Sequence, residues 1–273
     1  MNRKNIAIQG VLGSNHPCVA QQLYQEDIQL IECVSFDELT KSLISGDADE
    51  AIMAIENTIA GSIIPNYALI NHNHLQIIGE TYFQINHQLM ALPGESIETI
   101  QEVCSHPMAL LQCKDFFNYY PHIRLIEDID TADVAKRIAE NKLKNVAAIA
   151  PKMAADIFGL SVLKKDIQTI KENSTRFVIL SMNKKNDNDS NKASINFQLD
   201  HKRGSLATIL NVMSDCNLNL TKIQSLPVIE TPWKYSFFVD VTFKLKKDYE
   251  KAIEIITIMA EKLKVLGTYK SGR

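Results

Sequence analysis

The segment Asn183-Lys184-Lys185-Asn186-Asp187-Asn188-Asp189-Ser190-Asn191-Lys192 divides the 273-residue sequence into two parts with different patterns. Its ten side chains are all polar, and such a run offers nothing apolar to a core. We therefore predict an exposed linker at residues 183–192, a first domain over residues 1–182 and a second domain over residues 193–273.

Before the linker, short apolar runs alternate with helical patterns, which is typical of an α/β sheet. The runs Ile6-Ala7-Ile8 and Ala51-Ile52-Met53-Ala54-Ile55 predict buried strands. Between them, Ser35-Phe36-Asp37-Glu38 has the pattern of a capping box, and Gly46 suits the end of the same helix. The first domain is therefore predicted to be α/β.

After the linker, the predicted elements follow a different order. Strands are predicted at residues 194–199, 218–228, 234–243 and 264–269, and helices at residues 206–213 and 249–262. This βαββαβ order is typical of the split βαβ arrangement found in small ligand-binding domains.

The overall composition excludes several functional classes. The formal net charge is −3 and the pI is near 6.2, so no basic field favours nucleic acid or an acidic membrane. No apolar stretch approaches the roughly 20 residues needed to span a bilayer. The five cysteines are widely spaced and include no C-x-x-C pair, which favours free thiols in a reducing compartment. We predict a soluble cytoplasmic protein.

One pair of histidines has a spacing that two metal ligands could have. His72 and His74 are separated by one residue, but no cysteine or acidic residue stands at ligand spacing. We therefore predict that residues 71–74 form a solvated loop and that the protein binds no metal.

Small and polar residues gather at four points where a strand is expected to end and a helix to begin. In an open α/β sheet such points lie at the carboxyl edge of the strands, where ligands bind. Helix N-termini there offer free N–H groups and a partial positive charge, so several of them facing one cleft would hold a small dicarboxylate. For Asp130 the alternative is a plain helix N-cap. The four segments are residues 10–14, 56–62, 105–107 and 130–132.

A further segment, Asn173-Ser174-Thr175-Arg176-Phe177, runs into the apolar strand Val178-Ile179-Leu180. An arginine beside a threonine offers a bidentate clamp for a carboxylate next to a hydroxyl donor. The alternative is an arginine with its head in water and a threonine present for its β propensity.

Together these segments resemble the motifs of the prephenate dehydratase family, in the family's order. The matching runs are residues 10–14, Ile55-Glu56-Asn57-Thr58-Ile59-Ala60-Gly61-Ser62, Ser105-His106-Pro107-Met108-Ala109-Leu110-Leu111-Gln112-Cys113, residues 130–132 and residues 173–177. The second domain is similar to the ACT domain that follows in that family. Its matching residues are Gly204-Ser205-Leu206, Trp233, Tyr235-Ser236-Phe237-Phe238-Val239-Asp240 and Leu266-Gly267-Thr268-Tyr269.

The resemblance implies an α/β catalytic domain of two lobes, like a type 2 periplasmic binding protein, followed by a ferredoxin-like α+β ACT domain. The lobes would comprise residues 1–80 with 160–182, and residues 81–159, with the site in the cleft between them. The implied reaction is the decarboxylating dehydration of prephenate to phenylpyruvate in phenylalanine biosynthesis, without a metal or organic cofactor. No chorismate mutase segment precedes Met1, so the monofunctional form is expected.

The resemblance also implies roles for individual residues. Thr175 would provide the catalytic hydroxyl, Arg176 would bind a substrate carboxylate, and Glu56 would act with them. Because an unperturbed threonine is a poor acid, Glu56 and His106 are rival proton sources. The implied substrate-binding set is Gly13, Ser14, Asn57, Thr58, Gly61, Ser105, His106, Asp130, Thr131 and Phe177.

Regulation by phenylalanine is implied for the second domain, although its sequence departs from the family pattern. Gln224-Ser225-Leu226-Pro227 stands where the family has Glu-Ser-Arg-Pro, so both charges of that motif are lost. A homodimer or homotetramer is expected. The implied effector-binding set is Gly204, Ser205, Leu206, Gln224, Ser225, Leu226 and Pro227.

Two alternatives remain open at the level of sequence. Arogenate carries an amine in place of the side-chain keto group of prephenate, and the motifs do not separate the two substrates. A non-catalytic, amino-acid-responsive binding protein would need the arginine but not the hydroxyl donor, so the Thr175-Arg176-Phe177 motif argues against it.

Overall fold

A computed structural model describes residues 3–24, 28–184, 189–200, 202–228, 231 and 234–273. Two compact units are defined by the contacts within the chain. Unit 1 comprises Met1–Gly61 and Phe83–Thr175, and unit 2 comprises Ser62–Tyr82 and Arg176–Arg273. The domain boundaries expected from sequence stay a prediction.

Strands and helices alternate along most of the described chain. They are, in chain order, β1 (Lys4–Gln9), α1 (Asn15–Leu23), β2 (Ile28–Cys33), α2 (Phe36–Ser45), β3 (Glu50–Asn57), β4 (Gly61–Ser62), α3 (Ile64–His72), β5 (Gln76–Gln84), β6 (Gln88–Ala91), β7 (Glu102–Ser105), α4 (Pro107–Phe117), β8 (Arg124–Glu127), α5 (Thr131–Asn141), β9 (Val146–Ala150), α6 (Lys152–Phe158), β10 (Ser161–Lys164), β11 (Ser174–Ser181), β12 (Lys192–Gln198), α7 (Ser205–Asp215), β13 (Asn219–Pro227), β14 (Tyr235–Thr242), α8 (Lys246–Met259) and β15 (Lys262–Tyr269).

Unit 1 contains two α/β layers, in agreement with the predicted fold class. In the first layer β1 pairs in parallel with both β2 and β3, so the order is β2-β1-β3. The second layer is a five-stranded mixed sheet in the order β10-β6-β9-β7-β8. Its strands β7, β8 and β9 run parallel, whereas β6 is antiparallel to β9 and β10.

Side-chain alternation explains how the five-stranded sheet is covered on both faces. On β9, Ala147 and Ile149 join the core that includes α4, while Ala148 and Ala150 join the core that includes α5 and α6. Successive residues of a strand point to opposite faces, so a continuous apolar run is what a sheet with helices on both sides requires.

The predicted start and end of α2 are confirmed. The Ser35 side chain accepts from the Glu38 backbone N–H, and the Glu38 carboxylate accepts from the Val34 N–H. Gly46 ends the helix in the left-handed conformation at φ +82°, where a residue with a Cβ would be strained.

Unit 2 contains a four-stranded sheet in the order β13-β14-β12-β15. Every neighbouring pair is antiparallel, and the predicted βαββαβ order is confirmed by β12, α7, β13, β14, α8 and β15. Phe197 and Val241 point from this sheet into a core shared with Met213 of α7 and Ile256 of α8. Strands β5 and β11, which are neighbours in another sheet, lie mostly in unit 2.

Two sequence-based predictions are wrong in unit 2. The predicted exposed linker fails at Ser190, which is buried, and at Lys192, which opens β12 and is only 3% exposed. The Lys192 ammonium lies 2.8 Å from a carboxylate oxygen of Glu80, and such pairing is what allows a charge to be buried. His72 lies in the last turn of α3 rather than in a loop. Residues 185–188 of the predicted linker and Trp233 lie outside the described residues.

Within the described ranges, no helix has the length and apolar character that crossing a bilayer demands.

His16 generates a prediction about stability. It is buried on α1 beside Phe36, and burial lowers the pKa of its imidazole to about 3. The unfolded chain binds this proton below about pH 6.5, so the unfolded state takes up more protons as the pH falls from 6.5 towards 3. The stability present above pH 6.5 is therefore lost over this range. As the pH is lowered from 7 to 5, we expect the unfolding free energy of the wild type to fall more steeply than that of His16→Gln.

Urea unfolding at pH 7, 6 and 5 measures this difference. His122→Gln removes an exposed histidine of unit 1 and should leave the slope unchanged. Parallel pH profiles for wild type and His16→Gln would contradict the expectation.

Candidate active site

The carboxamide of Asn57 occupies the carboxyl end of β3, and its orientation is fixed by the backbone. Its Oδ1 accepts from the N–H groups of Ile59 and Ala60, both at 2.9 Å. Two backbone donors on one oxygen leave no freedom to exchange the oxygen and nitrogen of the amide. The Asn57 nitrogen must therefore point the other way.

The Asn57 nitrogen contacts two side chains at the start of β11. Nδ2 donates to Asn173 Oδ1 at 2.7 Å and to Thr175 Oγ1 at 2.9 Å, which uses both of its hydrogens. Thr175 is only 8% exposed, and in this contact its oxygen is the acceptor. The hydroxyl hydrogen of Thr175 is therefore left to donate to another group.

A second pair of bonds holds the same two chain segments together. The Thr58 N–H donates to Ser174 O at 2.9 Å, and the Ser174 N–H donates to Thr58 Oγ1 at 2.9 Å. Thr58 thus fixes the start of β11 against the end of β3. Glu56 is half-buried and Gly61 is exposed with φ +81°.

A second group of predicted site residues meets at the N-termini of α1 and α5. A Cβ on Gly10 would come within 2.9 Å of Ser14 Oγ and 3.3 Å of Asp130 Oδ2, so these atoms surround one point. Ser14 is 5% exposed, and its Oγ has no hydrogen-bond partner among the described residues. Gly13, at φ +95°, allows the chain to approach Ala154, since a Cβ would lie 3.1 Å from that Cα.

Asp130 combines an N-cap with partial burial. Its Oδ1 accepts from the N–H groups of Ala132 at 2.8 Å and Asp133 at 3.0 Å, so the alternative of an N-cap is confirmed. Burial raises the pKa of the Asp130 carboxyl, and these two hydrogen bonds oppose that rise. Thr131 follows it as the first residue of α5 and is half-buried.

Ser105 and His106 make contacts that support the backbone. The fully buried Ser105 hydroxyl donates to Ile149 O at 2.7 Å. The exposed His106 caps α4, and its Nδ1 accepts from the Met108 N–H at 3.2 Å. Their substrate-binding roles stay predictions.

Arg176 belongs to unit 2, where it is 2% exposed and has partners other than a substrate. Its Nε lies 2.7 Å from Glu80 Oε2, its Nη1 pairs with Asp240 and its Nη2 donates to the Tyr269 hydroxyl at 3.0 Å. Burial alone would lower the pKa of the guanidinium, but Asp240 and Glu80 raise it. This geometry does not support the predicted carboxylate clamp, because the donors face carboxylates of the same unit. Phe177 is likewise buried, at the centre of β11.

The predicted effector residues fall into two groups in unit 2. Ser205 and Leu206 line a cavity of about 240 Å³, and Gly204 lines an adjoining one of about 270 Å³. Residues 224–227 lie on β13, whose partner strand β14 supplies Tyr235 and Phe237 to the first cavity. Leu226 is buried in this strand.

Sequence reasoning did not assign a role to two residues that belong to the same hydrogen-bonded group as Asn57 and Thr175. Asn173 is fully buried, and its Nδ2 donates to Gln112 Oε1 at 2.8 Å. Residues two apart on an extended chain share a face, so the position of Asn173 relative to Thr175 could have identified it. No local signal identifies Gln112, whose contact joins residues far apart in the chain.

The described part of the chain contains no cluster of three or more histidine, cysteine, aspartate or glutamate side chains able to hold a metal ion.

Comparison with known sequences identifies similar proteins. A sequence model of the family described as prephenate dehydratase matches residues 6–185. "Arogenate dehydratase/prephenate dehydratase 2, chloroplastic" from Arabidopsis thaliana is 34% identical over 280 residues, which cover 98% of this chain and 73% of that protein. The bifunctional chorismate mutase/prephenate dehydratase of Escherichia coli K12 is 32% identical over 272 residues, which cover 97% of this chain and 70% of that protein.

A solved structure has the same fold. The prephenate dehydratase of Arthrobacter aurescens, solved in complex with L-Phe, superposes with a TM-score of 0.89 at 24% identity. The match covers 98% of this chain and 90% of that one. At this level of identity the likeness concerns the fold alone.

The buried ion pairs of Arg176 generate a prediction that separates a structural role from a substrate clamp. Arg176→Met leaves Asp240 and Glu80 without the guanidinium, and breaking a buried pair in this way costs about 3–5 kcal/mol. We expect a large fall in melting temperature. Arg137→Met removes the half-exposed pair with Asp128 and should cost about 1 kcal/mol or less.

The opposite pattern would support the clamp. If Arg176→Met melts like the Arg137 control while the KM for substrate rises, the guanidinium binds substrate rather than holding unit 2 together.

Proposed function

The chain belongs to the prephenate dehydratase family, and we propose that Thr175 donates the hydrogen bond that assists departure of the substrate hydroxyl. The reaction is the decarboxylating dehydration of prephenate to phenylpyruvate, catalysed by a hydro-lyase. The orientation of Thr175 by Asn57 is the single observation that carries the proposal.

The chemistry requires a hydrogen-bond donor at one oxygen. As the ring carboxylate leaves as CO2, its bonding electrons move into the ring and expel the hydroxyl at C4. One proton joins that hydroxyl to give water, and the ring becomes aromatic. A donor placed at the leaving oxygen lowers the barrier, typically by about 10²–10⁴-fold in rate for general acid assistance.

Thr175 fits this role as a neutral donor. Its oxygen accepts from Asn57 Nδ2, which leaves the hydroxyl hydrogen to point at the substrate oxygen. A hydroxyl that is hydrogen-bonded at its own oxygen is also a better donor, because the bonds polarise one another. Glu56 stays the rival source of the proton. His106 is the weaker rival, because its Nδ1 already accepts from a helix N–H.

We also propose that the N-termini of α1 and α5 bind a substrate carboxylate. The Ser14 hydroxyl is buried beside Gly10 and Asp130 and has no partner among the described residues. A carboxylate there would accept from this hydroxyl and benefit from the helix N-terminus. The remaining substrate-binding residues proposed from the family motifs are Gly13, Asn57, Thr58, Gly61, Ser105, His106, Asp130, Thr131 and Phe177.

Arogenate is the second candidate substrate. The name of the Arabidopsis relative includes both activities, and the Petunia hybrida relative, 34% identical, is named arogenate dehydratase 2. We propose prephenate, and parallel assays of the purified chain with both substrates test this choice. A higher kcat/KM for arogenate would reverse it.

For residues 193–273 we propose an ACT domain that binds phenylalanine and inhibits the enzyme within a cytoplasmic homo-oligomer. The Arthrobacter structure contains L-Phe, which supports the choice of effector. The cavity at the start of α7 is lined by Asp200 and Lys202, which pair with each other and would exchange that contact for the two charges of an amino acid, and by Phe237 for its ring. Gln224 and Ser225 lie on the neighbouring strand β13.

Replacing Thr175 tests the donor directly. Thr175→Val keeps the volume and removes the hydroxyl, so kcat should fall by about 10²-fold or more while KM changes little. Thr175→Ser keeps the hydroxyl and is the matched control, expected to retain most of the activity. A Thr175→Val enzyme with more than about a third of the wild-type kcat would remove Thr175 from the mechanism and favour Glu56.

Phenylalanine titration tests the regulatory proposal. We expect phenylalanine to lower activity and raise the melting temperature, because a ligand stabilises the state it binds. Ser205→Gln places a longer side chain in the cavity and should weaken both effects, whereas Ser214→Gln, at an exposed position of the same helix, should not. If phenylalanine changes neither quantity in the wild type, the domain binds another ligand or serves assembly.

A further inference from the structure

His87 is held rigidly between β5 and β6 of the chain. It is 5% exposed, and its backbone N–H donates to Gln168 Oε1 at 3.0 Å. Its carbonyl accepts from the Ile167 N–H at 2.9 Å. The backbone that carries the imidazole is therefore fixed, and nothing assigned to the site so far explains the buried imidazole.

The imidazole ends a chain of side-chain hydrogen bonds that begins at Thr175. His87 Nε2 lies 2.8 Å from Gln112 Oε1, and the same oxygen accepts from Asn173 Nδ2 at 2.8 Å. The Gln112 carbonyl also accepts from the Thr169 N–H at 2.9 Å, which fixes this turn of α4. The complete chain is Thr175, Asn57, Asn173, Gln112 and His87.

The direction of every bond in this chain follows from the backbone at one end. Because Ile59 and Ala60 fix the Asn57 oxygen, the Asn57 nitrogen must donate and Asn173 Oδ1 must accept. The Asn173 nitrogen then donates to Gln112 Oε1. That oxygen is an acceptor, so His87 Nε2 has to carry a hydrogen.

The far end of the chain is consistent with this direction. Burial lowers the pKa of His87, which favours the neutral imidazole, although the bond to Gln112 opposes the shift. A neutral imidazole with its hydrogen on Nε2 is the tautomer that the chain requires. Were the Gln112 amide reversed, its NH2 group would face the NH2 group of Asn173, which offers it no acceptor, whatever the tautomer of His87.

We propose that His87 is a positioning residue for the dehydratase reaction, whose Nε2–H fixes the Gln112 carboxamide and, through Asn173, the Asn57 amide that orients the Thr175 hydroxyl. This inference rests on the proposed role of Thr175. His87 does not touch the reacting atoms. It closes a chain in which each amide has one permitted orientation, so the catalytic hydroxyl keeps its donor direction without any charged neighbour in the chain.

Paired substitutions at His87 separate this role from simple core packing. His87→Gln keeps an N–H donor close to the position of Nε2, whereas His87→Leu fills similar space without a donor. We expect His87→Leu to lower kcat by about tenfold or more with little change in KM, and His87→Gln to stay within about threefold of wild type. A packing role would instead give similar losses in both variants.

The tautomer provides a second, spectroscopic test, which is read in the wild-type protein and does not depend on whether His87→Leu folds. In protein labelled with ¹⁵N histidine, long-range ¹H–¹⁵N spectra should show Nε2 protonated and Nδ1 unprotonated, with the resonance assigned by its loss in His87→Gln. Gln112→Met removes the acceptor and should change this tautomer balance and lower kcat. Gln112→Glu keeps an acceptor and should preserve the Nε2–H form.

The outcomes distinguish the role of His87 from that of Thr175. An Nδ1–H tautomer in the wild type, or a folded His87→Leu enzyme with unchanged kcat, overturns the role of His87 even if Thr175→Val is inactive. Full activity of Thr175→Val overturns the proposed donor instead, whatever the tautomer of His87.

Discussion

The orientation of one carboxamide, that of Asn57, governs the hydrogen bonding around the Thr175 hydroxyl, for which we propose the catalytic role. Two backbone N–H groups just after β3 hold its oxygen, so its nitrogen has to serve Thr175 and Asn173. The turn that follows β3 therefore determines which atom of Thr175 accepts and which donates. Hydrogen bonds within one turn thus orient a hydroxyl that is remote in sequence, since Asn57 and Thr175 are separated by 118 positions in the chain.

Strand geometry explains why Thr175 and Arg176, which the sequence assigned to one site, make different contacts. Successive side chains on a strand point to opposite faces, so two adjacent residues of β11 do not line one pocket. The motif suggested a shared task for both, but only Thr175 bonds to Asn57, while Arg176 pairs with Glu80 and Asp240. Because side chains two positions apart on an extended chain lie on the same face, this alternation would have predicted that Asn173 shares a face with Thr175.

Local patterns predicted much of the fold, whereas long-range polar partners could not be predicted. The capping box of α2 and the βαββαβ order are written in neighbouring residues, and both are confirmed. Lys192 was assigned to an exposed linker because its neighbours are polar, yet its partner Glu80 lies 112 positions away. A polar residue is buried when it finds a partner, and that partner is a property of the tertiary structure.

Two kinds of polar network thus include residues of β11, and their difference has a physical reason. The buried cluster of unit 2 uses full charges, with Arg176 and Lys192 opposite Glu80 and Asp240, so its charges balance. The chain that reaches Thr175 in unit 1 uses carboxamides and a neutral imidazole. Prephenate brings two carboxylates, and a fixed carboxylate in that chain would repel them, whereas a fixed cation would attract them to the wrong place. A carboxamide has a donor end and an acceptor end but no net charge. A row of carboxamides can therefore orient the Thr175 hydroxyl without attracting or repelling the substrate carboxylates.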